Sequence, residues 1–428
     1  MEETYYDVPG VELDAEMSQR ILDSGDDYSK QTARLAQFIY DYRGQFRAEL
    51  ERRSFIAHDL PRSDGFDLAA VDGGSAIEPH GGGALIAAIA YKCTINDEKQ
   101  RGKVDTISVP NNINLEAFAT LLRMHLEFSL LAKDQLDTDQ LVVLDHSFWG
   151  VLQAVSRALA TYKSLRQNLL SKRLFQDAMQ DAWLVLFKRS LGAEGSFLHM
   201  IRNKQVISLS KTGVSKYYLN VLLDDFKEAS SDDRRLASNL NDRALLTHVL
   251  REGEYTMPMS LYVTEKESGD IKVWNRSRFA TAFDPKADGR DPFEARHHVL
   301  DEYGIPRDDG RELQGRRIFV TYYRPHDWSR VYRIEFHELM LRGKDGSGFD
   351  LSGQGERFQK VLASVRHSTN RETMEPICQV LADIRSKAAT ACAMRVLPER
   401  SFYQLRDRYR DDSAMLDIVD TLLSRERT

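Results

Sequence analysis

The stretch Leu68-Ala69-Ala70-Val71-Asp72-Gly73-Gly74-Ser75 joins an apolar run to an aspartate, two glycines and a serine. The apolar run predicts a buried strand, and the glycines allow the chain to leave that strand without side-chain interference. This geometry exposes the Asp72 carboxylate at the end of a rigid element, beside free backbone. It suits a divalent metal ion and a phosphate. The alternative is that Asp72 is only a turn residue after a core strand.

A second stretch repeats this design. Leu141-Val142-Val143-Leu144-Asp145-His146-Ser147 predicts another strand, which ends at Asp145. Between the two stretches, residues 114–133 predict a helix with Glu127 beside its apolar face. A carboxylate at a core-facing border is costly unless it is paired or holds a metal, although a glutamate that points to solvent is an alternative. Two aspartates at strand ends in one domain give our starting hypothesis.

Length and composition limit the possible classes of protein. The chain has 428 residues, enough for a sizeable core, and its net charge of −6 does not by itself indicate nucleic-acid binding. Three cysteines, Cys93, Cys378 and Cys392, are too few and too scattered for a disulfide framework or a zinc site. There is no apolar signal core at the N-terminus and no run of about 18 apolar residues. We therefore expect a cytoplasmic protein without a membrane span.

The order of predicted elements indicates an α/β protein with a mixed sheet flanked by helices. Residues 1–29 are acidic and predict a flexible arm, and residues 265–314 predict a polar insertion. The expected helices cover residues 29–55, 114–133, most of 150–192, 214–226, 232–251, 353–367, 372–394 and 400–426. Besides the strands before Asp72 and Asp145, we expect strands at residues 84–94, 104–109, 205–209, 259–263, 316–323 and 330–336.

Positive charge is concentrated in one part of this acidic chain. Residues 157–216 contain eleven Lys or Arg and three acidic residues, a local excess of 11 − 3 = +8. Such asymmetry predicts a surface that follows a nucleic-acid backbone, although solvated helix faces would give the same composition. Our candidates for contact with nucleic acid are Arg202, Lys204, Lys211 and Lys216, and Arg333 of a later predicted strand.

Asp72, Glu127 and Asp145 would come from a strand, a helix and a neighbouring strand. Carboxylates gathered in this way repel one another unless cations lie between them, and hard oxygen ligands select Mg²⁺ or Mn²⁺. Two such ions can activate the attacking water and neutralise the leaving oxygen of a phosphodiester. Asp383, on the helix predicted at residues 372–394, is our candidate for a fourth ligand. An exposed aspartate on an amphipathic helix is the alternative there.

These pieces, in this order, resemble the NurA family of DNA-repair nucleases, whose core is RNase H-like. The resemblance covers residues 30–395, and the separation 145 − 127 = 18 agrees with the family's step from helix to strand. The chain departs from the family at Asp383, where the family usually has His, at Glu375, where it has Tyr, and at His146, where it has Gly. The matching pieces are residues 70–75, Glu127, residues 144–147, 206–211, 331–335 and 376–383.

The resemblance implies that Asp72, Glu127, Asp145 and, in place of the family's His, Asp383 are metal ligands and catalytic residues. It implies a nuclease that uses two Mn²⁺ or Mg²⁺ ions to resect DNA ends, forms a homodimer and works with a HerA-type hexameric ATPase translocase. The nuclease domain would span residues 30–395, with a basic helical insertion at about 150–202 and the polar insertion at about 265–314. Residues 396–428 would form a helical extension.

Two further hypotheses stay open at this stage. The departures at Glu375 and Asp383 would also fit a DNA-binding or translocase-partner subunit that has kept the fold without the catalysis. An RNase H-like enzyme that acts on RNA or on hybrid duplexes is the third hypothesis. All three central carboxylates are present, and this favours an active DNA nuclease.

Overall fold

The computed structural model of the protein describes residues 15–60, 64–80, 83–95, 101–109, 115–133, 140–151, 154, 205–210, 215–225, 230–265, 318–342 and 350–423. Most of both predicted insertions lies outside these ranges, as do residues 1–14. Among the described residues, no helix has the length and apolar character that crossing a bilayer would require.

Within the described ranges, ten strands form one mixed sheet in the order β1-β7-β9-β10-β6-β5-β2-β3-β4, with β8 beside β9. β5 runs parallel to β2 and to β6, whereas the other neighbours are antiparallel. A small second sheet joins Thr369–Asn370 (β11) to Glu375–Pro376 (β12). The ten strands are Ile56–His58 (β1), Asp67–His80 (β2), Gly83–Thr94 (β3), Arg101–Val109 (β4), Gln140–Leu144 (β5), Val206–Ser210 (β6), Glu254–Thr256 (β7), Met259–Ser260 (β8), Ile318–Arg324 (β9) and Tyr332–His337 (β10).

Helices cover both faces of the sheet, so the expected mixed α/β architecture is confirmed. Together with a 3₁₀ turn at Glu338–Leu341, the described helices are Ala15–Arg52 (α1), Leu115–Lys133 (α2), Tyr217–Asp225 (α3), Ser231–Ala237 (α4), Asp242–Val249 (α5), Leu261–Glu265 (α6), Glu356–Ser368 (α7), Ile377–Arg408 (α8) and Ser413–Leu423 (α9).

Successive side chains of the central strands point to opposite faces of the sheet, and each face carries its own hydrophobic core. On β2, Ala69 and Val71 join the core that contains α1 and α2, whereas Leu68 and Ala70 join the core that contains α7 and the start of α8. All four residues from Leu141 to Leu144 are buried. A strand that is buried on both faces needs apolar side chains at every position, and this explains the continuous apolar run of β5.

β2 does not end at Asp72, contrary to the sequence-based expectation. The strand continues through Gly73 and Gly74 to His80 and pairs with β3 along this length. The prediction was wrong because it took two consecutive glycines as a turn signal. Here a long partner strand keeps them extended, and close packing by helices on both faces accounts for their lack of side chains.

Three other element predictions also need correction. α1 begins at Ala15, so residues 15–29 are helical; residues 23–34 are exposed, and an apolar pattern could not reveal them. The expected helix at 232–251 is two helices, because Asn241 caps the start of α5 by accepting the Ala244 N–H. The expected strand at 259–263 stops at Ser260 and continues as α6.

The C-terminal helices do not separate at the predicted domain boundary. α8 runs without a break past residue 395 to Arg408. A domain boundary at residues 395–396 would therefore fall inside a continuous helix. α9 then packs against α8.

Candidate metal centre

The site lies where one central strand ends and its neighbour continues. Val71 pairs with Leu144, the last residue of β5, whereas β2 runs on through Asp72. Asp145 is the first residue after β5. The two aspartates are therefore brought to the same level of the sheet by the parallel pairing of their strands.

Asp72 is buried, with only 4% of its surface exposed. Its carboxylate accepts the Gly73 N–H at 2.9 Å and faces the Ser386 hydroxyl at 3.4 Å. Burial, followed by repulsion from the charges of Glu127 and Asp145, raises the pKa of Asp72 to about 7. Without a bound cation, this carboxyl therefore carries its proton through the acidic range and loses it near neutral pH.

Glu127 approaches the same point from the opposite face of the sheet. Its side chain is fully buried, and His146 Nε2 lies 3.0 Å from each of its carboxylate oxygens. Arg123 Nε lies 3.7 Å from Glu127 Oε1. Among the described residues, Glu127 Oε2 has no hydrogen-bond partner with acceptable geometry. A buried carboxylate oxygen without a donor has capacity for another ligand.

His146 is the member of the site to which sequence analysis gave no role. Burial lowers the pKa of its imidazole, but the charge and hydrogen bond of Glu127 more than compensate, so the pKa is raised overall. Ligand atoms of Asp72, Glu127 and His146 all lie within 4.8 Å of one another. The signal that could have identified it was its place directly after Asp145, on a segment already assigned to the site.

The donor set fits a divalent metal ion. Two carboxylates supply hard oxygen atoms and the imidazole supplies a nitrogen, a combination that Mn²⁺ and related ions accept. Gly73 gives Glu127 the room to approach, because a Cβ at this position would lie 2.5 Å from Glu127 Oε1. The space beside the aspartate, which the sequence analysis assigned to a metal ion and a phosphate, is occupied at Gly73 by the Glu127 side chain.

Asp145 and Asp383 lie around this group, outside the set of three mutually close ligand atoms. Gln379 of α8 donates a hydrogen bond to Asp145 Oδ1. Asp383 is one turn further along α8 and accepts from Lys387 Nζ at 2.9 Å. Both carboxylates are near enough for their charges to raise the pKa of Asp72. Their roles as metal ligands stay predictions.

Glu335 of β10 holds the segment that carries Asp145 and His146. Its Oε2 accepts the backbone N–H of Phe148 at 2.6 Å and is 3.4 Å from that of Trp149. These are the first residues of the helical turn that follows the site. A fully buried carboxylate thereby fixes the start of this turn relative to the sheet.

The prediction that Arg333 contacts DNA is wrong. Its side chain is only 4% exposed and forms ion pairs with Glu265 at 2.6 Å and Glu335 at 2.8 Å. A buried guanidinium between two carboxylates is a structural cation, and Arg333 is buried because both faces of β10 are covered. Lys216 is exposed and donates to the Ser238 carbonyl oxygen. Arg202, Lys204 and Lys211 lie outside the described residues.

Comparison with known proteins adds family and fold to this geometry. The sequence model described as "NurA domain" matches residues 66–348. The NurA nuclease from Sulfolobus solfataricus has a crystal structure with 12% sequence identity, and the alignment covers 90% of this chain and 97% of that one, with a TM-score of 0.50. This likeness shows the same overall fold.

Two further crystal structures are similar over much of their length. "NurA with manganese" is 13% identical, with 88% of this chain and 98% of that chain covered and a TM-score of 0.40. "NurA bound to dAMP and manganese" is 12% identical, with 76% and 92% covered and a TM-score of 0.36. No curated protein matches the chain.

Proposed function

This chain belongs to the NurA family, and from that premise we propose that it is a divalent-metal-dependent DNA nuclease with an RNase H-like core. The observation that carries the proposal is the convergence of Asp72 and Glu127 with His146 beside the end of β5. Two buried carboxylates this close repel each other. A bound cation would remove that repulsion, and this provides a physical reason for the arrangement.

In the proposed enzyme, Asp72, Glu127 and Asp145 would hold Mn²⁺ or Mg²⁺, and Asp383 would be the fourth carboxylate. Without metal, Asp145 accepts from Gln379 and Asp383 accepts from Lys387. Two divalent ions, when bound, supply Lewis-acid activation of water and charge neutralisation at a phosphodiester. The number of ions and this division of labour are part of the proposal.

The protein groups around the carboxylates would orient them and exclude water. The Gly73 N–H and the Ser386 hydroxyl hold the two oxygens of Asp72. Arg123 lies beside Glu127 and offsets part of its negative charge. Because Glu127 has no exposed surface, its position is fixed by packing rather than by solvent. A rigid carboxylate set of this kind is preorganised for cation binding.

The substrate and partners follow from family membership as proposals. We propose that the enzyme resects DNA ends, acts as a homodimer and works in the cytoplasm with a HerA-type hexameric ATPase translocase. The basic stretch of residues 157–216 would follow the DNA backbone, and exposed Lys216 is the candidate for DNA contact within this stretch that the structure describes.

The test uses the purified full chain with linear single- and double-stranded DNA, RNA and RNA–DNA hybrid, in Mn²⁺, Mg²⁺ or EDTA. We expect cleavage of DNA with metal and none with EDTA, and loss of cleavage in Asp72→Ala and in Asp145→Ala. Asp67→Ala is the matched control, since Asp67 is an exposed aspartate on the same strand as Asp72.

Three outcomes would contradict the proposal. Cleavage that survives both substitutions would place the chemistry elsewhere. DNA binding without metal-dependent cleavage would support the non-catalytic partner subunit. Preference for RNA or hybrid would support the third hypothesis.

A further inference from the structure

We propose that His146, at a position where the family has Gly, is a nitrogen ligand of the bound ion. This inference rests on the proposed function, because it concerns the same metal centre. It adds a ligand to the carboxylate set. The evidence is the geometry of three side chains and of the segment that carries His146.

The distances between donor atoms agree with a shared ion. His146 Nε2 lies 3.0 Å from both oxygens of Glu127, and the donor atoms of Asp72, Glu127 and His146 are all within 4.8 Å of one another. Ligands that are each about 2.1 Å from one ion lie about 3 Å apart when adjacent and about 4.2 Å apart when opposite. The three donor atoms therefore need little rearrangement to bind one cation.

An ion pair between His146 and Glu127, without a metal ion, explains the arrangement of the three side chains less completely than a shared cation does. The imidazole hydrogen-bonds to Glu127, whereas the hydrogen bonds that Asp72 accepts come from a backbone N–H and a hydroxyl, both neutral donors. His146 thus hydrogen-bonds to one of the two buried carboxylates and not to the other. A cation bound by all three side chains would compensate both, and the imidazole would then contribute its nitrogen lone pair.

The backbone that carries His146 is anchored on its C-terminal side. Ser147 Oγ accepts the Gly150 N–H at 2.8 Å, and Glu335 accepts the Phe148 N–H at 2.6 Å. Because these bonds fix the following turn, the direction of the His146 side chain is set before metal binds. A ligand held in this way loses little conformational entropy on coordination.

The nitrogen donor predicts metal selectivity. Mg²⁺ prefers oxygen ligands, whereas imidazole suits transition metals. Replacing His146 by Gln gives a side chain of similar reach whose donor is an amide oxygen. We therefore expect His146→Gln to lower Mn²⁺ affinity by about tenfold or more and to leave Mg²⁺ affinity much less changed.

The direct test is electron spin-echo envelope modulation spectroscopy of Mn²⁺ bound to the full-length protein. We expect a ¹⁴N coupling from coordinated imidazole, which changes to a ¹⁵N pattern when the protein is labelled with ¹⁵N-histidine. The coupling should disappear in His146→Gln and persist in His367→Gln, since His367 is exposed at the end of α7. Calorimetric titration with Mn²⁺ and with Mg²⁺ measures the selectivity of each variant.

The outcomes separate this inference from the proposed function. Tight Mn²⁺ binding without nitrogen coupling would overturn the role of His146 and leave the nuclease proposal standing, and so would coupling that persists in His146→Gln. Binding of Mg²⁺ without binding of Mn²⁺ would also overturn the role of His146, whereas binding of neither ion would contradict the proposed function itself. The labelled unmodified protein gives the nitrogen result even if His146→Gln does not fold.

Discussion

Asp72 shows how a residue that we propose as a metal ligand can oppose the stability of the protein that contains it. The aspartate is buried on β2, and burial together with the charges of Glu127 and Asp145 raises its pKa to about 7. A raised carboxyl pKa means that the folded protein binds this proton more tightly than the unfolded chain. The stabilisation is therefore fully present below the unfolded pKa, near 3.8, and is lost as pH rises through about 7.

The decrease of stability with rising pH gives a prediction for Asp72→Asn. The amide cannot ionise, so in EDTA at pH 8 we expect the variant to be more stable than the unmodified protein by at least about 1 kcal/mol, with a smaller difference at pH 5.5. Urea unfolding at both pH values measures this. Mn²⁺ should stabilise the unmodified protein and leave the variant unchanged. A variant that is less stable at pH 8, with Asp67→Asn neutral as control, would show that the Asp72 carboxylate is stabilising without metal.

At the scale of elements, the site depends on how closely α8 approaches β2. Gly74 faces α8, and a Cβ there would clash with the Thr390 hydroxyl and lie 3.0 Å from the Ser386 carbonyl oxygen. Ser386 is also the residue whose hydroxyl faces Asp72. One glycine thus sets the distance between the sheet and the helix that also carries Gln379 and Asp383.

We expect Gly74→Ala to destabilise the protein by about 1–3 kcal/mol, the usual cost of overpacking, and to weaken metal binding because α8 must move away. Gly44→Ala is the matched control. Gly44 is at an exposed position of α1, where a Cβ would meet nothing within 4 Å. This change should therefore stabilise the protein by about 0.5–1 kcal/mol. Unfolding free energies and Mn²⁺ titrations of both variants test the pair. Gly74→Ala with unchanged stability and metal affinity would contradict this account of the packing.

At the scale of the whole molecule, the site joins parts of the chain that are far apart in sequence. Residues from 72 to 386 meet at one point, contributed by β2, α2, the segment after β5, and α8. β10 supports them through Glu335. The two cores on either side of the sheet hold these elements in register. The site therefore depends on β2, β5, β10, α2 and α8, which are far apart in the sequence.

α9 makes a different contribution. It packs against α8, and the described residues at its start and middle are mostly exposed. We expect a chain truncated after residue 410 to keep its metal affinity and cleavage rate, with unfolding free energy within about 1 kcal/mol of the full chain. A chain truncated after residue 384 lacks Ser386 and Thr390, and we expect it to lose metal binding. Loss of metal binding in the chain that ends after residue 410 would show that the metal site requires α9.

Local patterns predicted a large part of the fold. The continuous apolar run before Asp145 predicted a strand, and the structure has β5 there, which ends at Leu144 and is buried on both faces. The periodicity of α2 predicted a helix with Glu127 at the border of its apolar face, and the structure buries that residue completely. In both cases, the period of the apolar residues is set by the element itself, so neighbouring sequence is enough to recover it.

Other features depended on partners that are remote in sequence. The glycines after Asp72 would suit a turn, but pairing with β3 and packing by α2 and α8 make them part of a strand. Arg333 has the positive charge expected of a DNA contact, but its side chain is buried and forms ion pairs with Glu265 and Glu335. No local pattern distinguishes an exposed arginine from one that meets two carboxylates inside the protein.

The sequence by itself determined the family and the mixed α/β fold. It also identified Asp72, Glu127 and Asp145 as candidate ligands, because strand-end and helix-border carboxylates leave a local signal. The tertiary structure alone decided which side chains meet. It placed His146 with Asp72 and Glu127, and it put Gln379 on Asp145 and Lys387 on Asp383. The physical reason is that ligand geometry depends on distances of a few ångströms between elements, which packing sets and local sequence does not encode.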